Sequence, residues 1–138
     1  MGIIVGLYGP AGVGKDFVAN WFRDTHDFQI EHFAAPMKGF LGRLLDVPHE
    51  VLWGPSHMRN AQFSPAIDWD KALANLLPTA ERHLPLPCPT ARREFAKQSL
   101  ITWFSEIRAR KSDPQGVRKA LQTLGTEVGR AVDPLVWV

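Results

Sequence analysis

The chain has 138 residues, with 16 Lys and Arg against 14 Asp and Glu, giving a formal net charge of +2. That length bounds it to one domain with a real core, and so weak a charge gives no argument for a specific nucleic-acid partner. A hydrophobic share of 45% and a charged share of 22% are ordinary for a globular chain, and no apolar stretch approaches the roughly 20 residues that span a bilayer. No membrane partner is therefore expected. The start MGIIVGLYG shows no basic leader, cleavage pattern or myristoylation signal, and the single Cys88 cannot form an internal disulfide. Together these point to the cytoplasm.

Residues 3–8, IIVGLY, form a short continuous apolar run, as expected for a central strand of a parallel sheet. Phe17, Val18, Trp21 and Phe22 then recur at helical spacing, which predicts a helix from Lys15 to Thr25. FQIEHF, residues 28–33, alternates as a second strand, so the first third reads as strand, loop, helix, strand, the start of a right-handed α/β unit. Pro36 fits the first turn of a further helix with Met37, Phe40, Leu41, Leu44 and Leu45 on its apolar face. The stretch 47–65 is punctuated by Pro48, Gly54 and Pro55, and DWDKALANLL reads as a short helix. Four prolines, Pro78, Pro85, Pro87 and Pro89, predict a loop over 78–89, within a loop-rich segment 56–90. Residues 91–110 predict a helix with Phe95, Leu100, Trp103, Phe104 and Ile107 as core. Its cations, Arg92, Arg93, Arg108 and Arg110, are diluted by Glu94 and Glu106 and read as a solvated face. Residues 115–131 predict the last helix.

The most informative stretch is GPAGVGKD, Gly9 to Asp16, between the first predicted strand and helix. Gly9, Gly12 and Gly14 permit positive φ and close backbone approach, and the loop N–H groups and helix N-terminus favour an anion. Ala11 and Val13 complete the loop. Lys15 is placed to reach the β- and γ-phosphates of a nucleoside triphosphate, which predicts an ATP site. Asp16 stands where such loops carry a Ser or Thr on Mg²⁺, and its carboxylate is either a hard oxygen ligand for that metal or a favourable first-turn charge.

In the last helix, Arg118, Gln122, Thr126 and Arg130 share one face, while Val117, Leu121, Leu124, Val128 and Val132 form an apolar stripe. Gly125 and Gly129 are poor helix formers at i, i+4, which suggests that something packs against the backbone there. The histidines show no metal-ligand pattern.

With GPAGVGKD, FAAPMK (residues 33–38) and LQTLGTEVGR (residues 121–130) followed by Trp137 in hand, the chain resembles the deoxynucleoside monophosphate kinases of tailed bacteriophages. The likeness runs in order over most of the chain and is weakest over residues 56–110. That family often carries GKD in place of GK[ST]. The resemblance implies a P-loop NTPase-type parallel sheet with flanking helices, and transfer of the γ-phosphoryl of ATP, with Mg²⁺, to a deoxynucleoside 5′-monophosphate. Gly12, Gly14, Lys15 and Asp16 then hold ATP and metal, and Lys38, Gln122, Glu127 and Arg130 lie toward the acceptor. Lys38 and Arg130 suit phosphate, Gln122 a base edge, and Glu127 a base, a sugar hydroxyl or Arg130. Lys15 and Arg130 take the catalytic roles, by charge neutralisation. Arg59 and Thr126 are further candidate substrate contacts. Family members continue past the point where this chain ends, so the resemblance implies a fragment of a longer enzyme, a shortened or split product whose missing strands come from another chain, or a remnant that folds by self-association. A dephospho-coenzyme A kinase and a non-catalytic nucleotide-binding module remain alternatives.

Overall fold

The computed structural model describes residues 2–10, 12–32, 34–84, 86 and 90–129. Ala11, Arg130 and Trp137 lie outside the described residues, as do Phe33, Cys88 and Val132. The chain divides into two compact units, Met1–His32 and Phe33–Val138.

The expected parallel sheet is not formed. Among the described residues there is no β-strand, and the α/β fold inferred from the sequence is replaced by an all-helical one. Residues 2–10 have no regular secondary structure, and no backbone–backbone hydrogen bond among the described residues ties them to another segment. Ile4 is 98% exposed and Tyr8 102% exposed. Residues 28–32 are equally irregular. A strand exists only through its ladder, and two short runs that do not pair leave both without donors and acceptors.

In the first unit the predicted helix is present as α1, Lys15–His26. It buries none of its residues, although Phe17, Val18 and Trp21 occupy the predicted apolar positions. Its C-terminal end carries an aromatic group in which Trp21, Phe22 and Phe28 meet edge to face, with His26 against Trp21. Asp27 closes the helix in the left-handed conformation at φ 57, a position that Asp tolerates better than most residues.

The second unit contains the core. Helix α2, Ala35–Leu45, opens on Pro36 and buries Phe40, Leu41, Leu44 and Leu45, the face expected from the sequence. Two short helices follow, α3 (His49–Trp53) and α4 (Ser56–Arg59), in the stretch marked by prolines and Gly54. Helix α5, Trp69–His83, starts on Asp68, whose carboxylate accepts from the Lys71 N–H at 3.0 Å. It buries Trp69, Ala72, Leu76 and Ala80 along one stripe and continues through Pro78, so α4 and α5 occupy much of the segment 56–90 expected to be loop-rich and residues 78–83 are helical, while Pro85, Pro87 and Pro89 lie outside the described residues. Pro78 is exposed, and solvent can serve the carbonyl that loses its helical donor. Helix α6, Thr90–Ala109, buries Leu100, Trp103, Phe104 and Ile107 as expected, but Phe95 is 54% exposed and Ala96 is buried in its place.

Helix α7, Gly116–Thr123, runs directly into a π-helical segment, Leu124–Gly129. Helices α2 and α6 pack on α5, and α6 also packs on α7 and the π segment. Val117, Leu124 and Val128 join this core, Leu121 is partly buried, and Gln122, Thr126 and Glu127 are exposed. Trp103 pins the join: its indole N–H is shared between the Ala120 carbonyl and the Thr123 hydroxyl, each at 3.1 Å. Its ring lies 5.9 Å from that of Phe40. Each fully buried Leu or Phe of this core contributes roughly 1.5–3 kcal/mol relative to exposure.

Candidate functional site

The first unit places Gly9, Gly12, Val13, Gly14, Lys15 and Asp16 together at the start of α1. Gly12 (φ +80) and Gly14 (φ +95) adopt backbone conformations that L side chains rarely take, and a Cβ on either meets nothing within 4 Å. Their glycines are thus demanded by the backbone and not by crowding. Gly9 is a case of close approach, because a Cβ there would lie 2.8 Å from Val13 Cγ1. Gly14 is the N-cap, and no side chain caps the helix there. The first-turn N–H groups of a 12-residue helix therefore face the loop.

Lys15 folds back over this loop. Its ammonium donates to the Gly9 carbonyl at 2.8 Å and to the Pro10 carbonyl at 2.7 Å, tying the start of the loop to the helix that follows it. The positive end of the helix and a held ammonium form a set suited to a polyphosphate. Asp16 lies in the first helical turn and is exposed. Among the described residues no group of three His, Cys, Asp or Glu is clustered for a metal. One carboxylate still fits Mg²⁺, which is usually held by one or two carboxylates, water and substrate phosphates.

The residues expected on the acceptor side lie in the second unit. Lys38 sits on α2 with Nζ 4.0 Å from the centroid of the Trp53 ring. The neighbouring Met37 reaches the π segment: a Cβ on Gly125 would stand 3.2 Å from its sulfur. This is the backbone packing that Gly125 implied, and it puts α2 against the run that holds Thr126 and Glu127. The Thr126 hydroxyl donates to the Gln122 carbonyl at 2.8 Å, inside its own helix. Arg59, at the end of α4, donates to the Ser56 hydroxyl at 3.1 Å. Its neighbour Asn60 accepts from Arg118 at 2.9 Å, and the Val117 N–H donates to the Ala61 carbonyl at 3.1 Å. Arg59 is therefore placed beside the beginning of α7, while Lys38 lies over the ring of Trp53 at the end of α3. Arg130, like Ala11, lies outside the described residues.

Sequence reasoning missed Trp53 and His49. Their rings are 6.2 Å apart at an interplanar angle of 22°. The only signal for them was the Gly54–Pro55 break that ends α3.

No family model, curated protein or solved structure matches the chain. Among the described residues no helix is long and apolar enough to cross a membrane.

Proposed function

We propose that this chain binds ATP through Gly9–Asp16 and transfers its γ-phosphoryl group to a deoxynucleoside 5′-monophosphate. The observation that carries the reading is the loop itself: two glycines at positive φ, an uncapped helix N-terminus and a lysine held over the loop by its own carbonyls. Loop N–H groups bind and orient the phosphates, and Lys15 follows the charge that moves to the β-phosphate oxygen. Asp16 would hold Mg²⁺, which when bound would neutralise charge on the phosphates. The new bond joins an acceptor phosphate oxygen to the γ-phosphorus as the bond to the β-bridging oxygen breaks, and ADP leaves. The acceptor assignments, Lys38, Arg59, Gln122, Thr126, Glu127 and Arg130, rest on the resemblance in the sequence.

The test is phosphoryl transfer from ATP and Mg²⁺ to a panel of deoxynucleoside monophosphates, their ribonucleotide counterparts and dephospho-coenzyme A, at several protein concentrations. Turnover with a deoxynucleotide is the expected result. ATP binding without turnover of any acceptor refutes the kinase and leaves a nucleotide-binding module. That second reading is favoured by the apolar side chains exposed in the first unit, Ile3, Ile4, Tyr8, Val13, Phe17 and Trp21 among them. An apolar surface of this kind suits a second copy or another chain, and activity rising steeply with concentration marks such an assembly.

A further inference from the structure

Trp53 ends the five-residue helix α3, and the chain turns sharply at the next residue. The Gly54 N–H donates to the Glu50 carbonyl at 2.9 Å, and a Cβ on Gly54 would stand 2.2 Å from that same oxygen. No side chain fits there, so a glycine is needed to end the helix where the indole sits. The indole remains 36% exposed. It has a cation over its ring, Lys38 at 4.0 Å, and a near-parallel imidazole beside it, His49 one helical turn back. An aromatic face joined to an ammonium is the combination that a planar base linked to a phosphate requires: stacking for the one, charge for the other.

We propose that Trp53, flanked by His49, is the stacking seat for the base of a nucleoside monophosphate whose phosphate is taken by Lys38. The phosphate draws the ammonium off the indole, and the base takes its place on the ring. The identity of this ligand rests on the function proposed above, but the seat uses two residues which that reading does not. Because every base has a π face, such a seat holds bases with little discrimination, and selectivity falls to the groups at the base edge.

The experiment measures binding of a deoxynucleoside monophosphate and of 2-deoxyribose 5-phosphate, which lacks the base, to the full chain and to Trp53→Leu and Trp53→Phe. Expected is a loss of about tenfold or more for the nucleotide in Trp53→Leu, recovery of most of it in Trp53→Phe, and little change for the sugar phosphate in either. Equal loss for both ligands overturns the seat and makes Trp53 a positioning residue for Lys38. No loss for either also overturns it. Tryptophan emission gives a second readout: the nucleotide quenches the unsubstituted chain more than Trp53→Phe, and equal quenching refutes stacking. Nucleotide turnover unaffected by Trp53→Leu removes the seat alone. ATP binding with no monophosphate binding removes the proposed acceptor, and the seat with it.

Discussion

Replacing Gly14 by Ala tests whether the backbone of the loop is what binds phosphate. Gly14 sits at φ +95, and a Cβ added there meets no atom within 4 Å, so the substitution adds backbone strain and no collision. Holding an L residue in the left-handed region costs about 1–2 kcal/mol. Nothing in α1 is buried to over-determine that conformation, so the loop relaxes and the competent form is depopulated. The expected result is a loss of ATP affinity of about 5- to 30-fold, and the same reasoning gives a similar loss for Gly12→Ala at φ +80. Gly6→Ala is the control, since Gly6 has no positive φ and open space around it. The assay is calorimetric titration with ATP at fixed salt and Mg²⁺. Equal affinity in all four proteins, or an equal loss in Gly6→Ala, would refute the argument.

Lys15→Ala removes the ammonium that bridges the Gly9 and Pro10 carbonyls, and is expected to lower ATP affinity by about tenfold or more while leaving the denaturation of the second unit unchanged; unaltered binding removes the phosphate-loop assignment. Leu100→Ala, at a fully buried position, is expected to cost about 2–5 kcal/mol in urea unfolding, whereas Phe95→Ala, on the exposed side of the same helix, changes it by about 0.5 kcal/mol or less. Similar costs at the two sites contradict the burial pattern. For Asp113, the Lys119 ammonium at 2.7 Å and then the Gln115 N–H hold the carboxyl below the ordinary carboxylate range. A lowered folded value means that its contribution to stability is present above the ordinary carboxylate range and fades as pH falls through the folded value. Asp113→Asn is thus less stable than the unsubstituted chain at neutral pH, and the gap closes in acid; a gap unchanged across that range in pH-dependent unfolding refutes the ion pair's role.

Most of the longer helices, the buried faces of α2 and α6 and the positive-φ glycines were legible because each is decided within a few residues. The spacing of Phe40, Leu41, Leu44 and Leu45 marks the face that α2 buries, and Leu100, Trp103, Phe104 and Ile107 do the same for α6. The conformations of Gly12 and Gly14 follow from a local need for positive φ, and Gly125 announced the close approach that Met37 makes. Strands are different, because an apolar run becomes one only if another segment supplies its hydrogen bonds. IIVGLY has the composition of a buried strand, yet among the described residues no backbone–backbone hydrogen bond pairs residues 3–8 with another segment, and they stand exposed. Tertiary packing likewise decided that Ala96 is buried where Phe95 was expected, and that α7 passes into a π-helical segment. It also brought Trp53 under Lys38 from a different helix. The sequence by itself therefore determined most of the helices and the positive-φ glycines, through periodicity and backbone constraint. Which elements meet, and whether an apolar run finds a partner, was decided by contacts between residues far apart in the chain, which no short window of sequence contains.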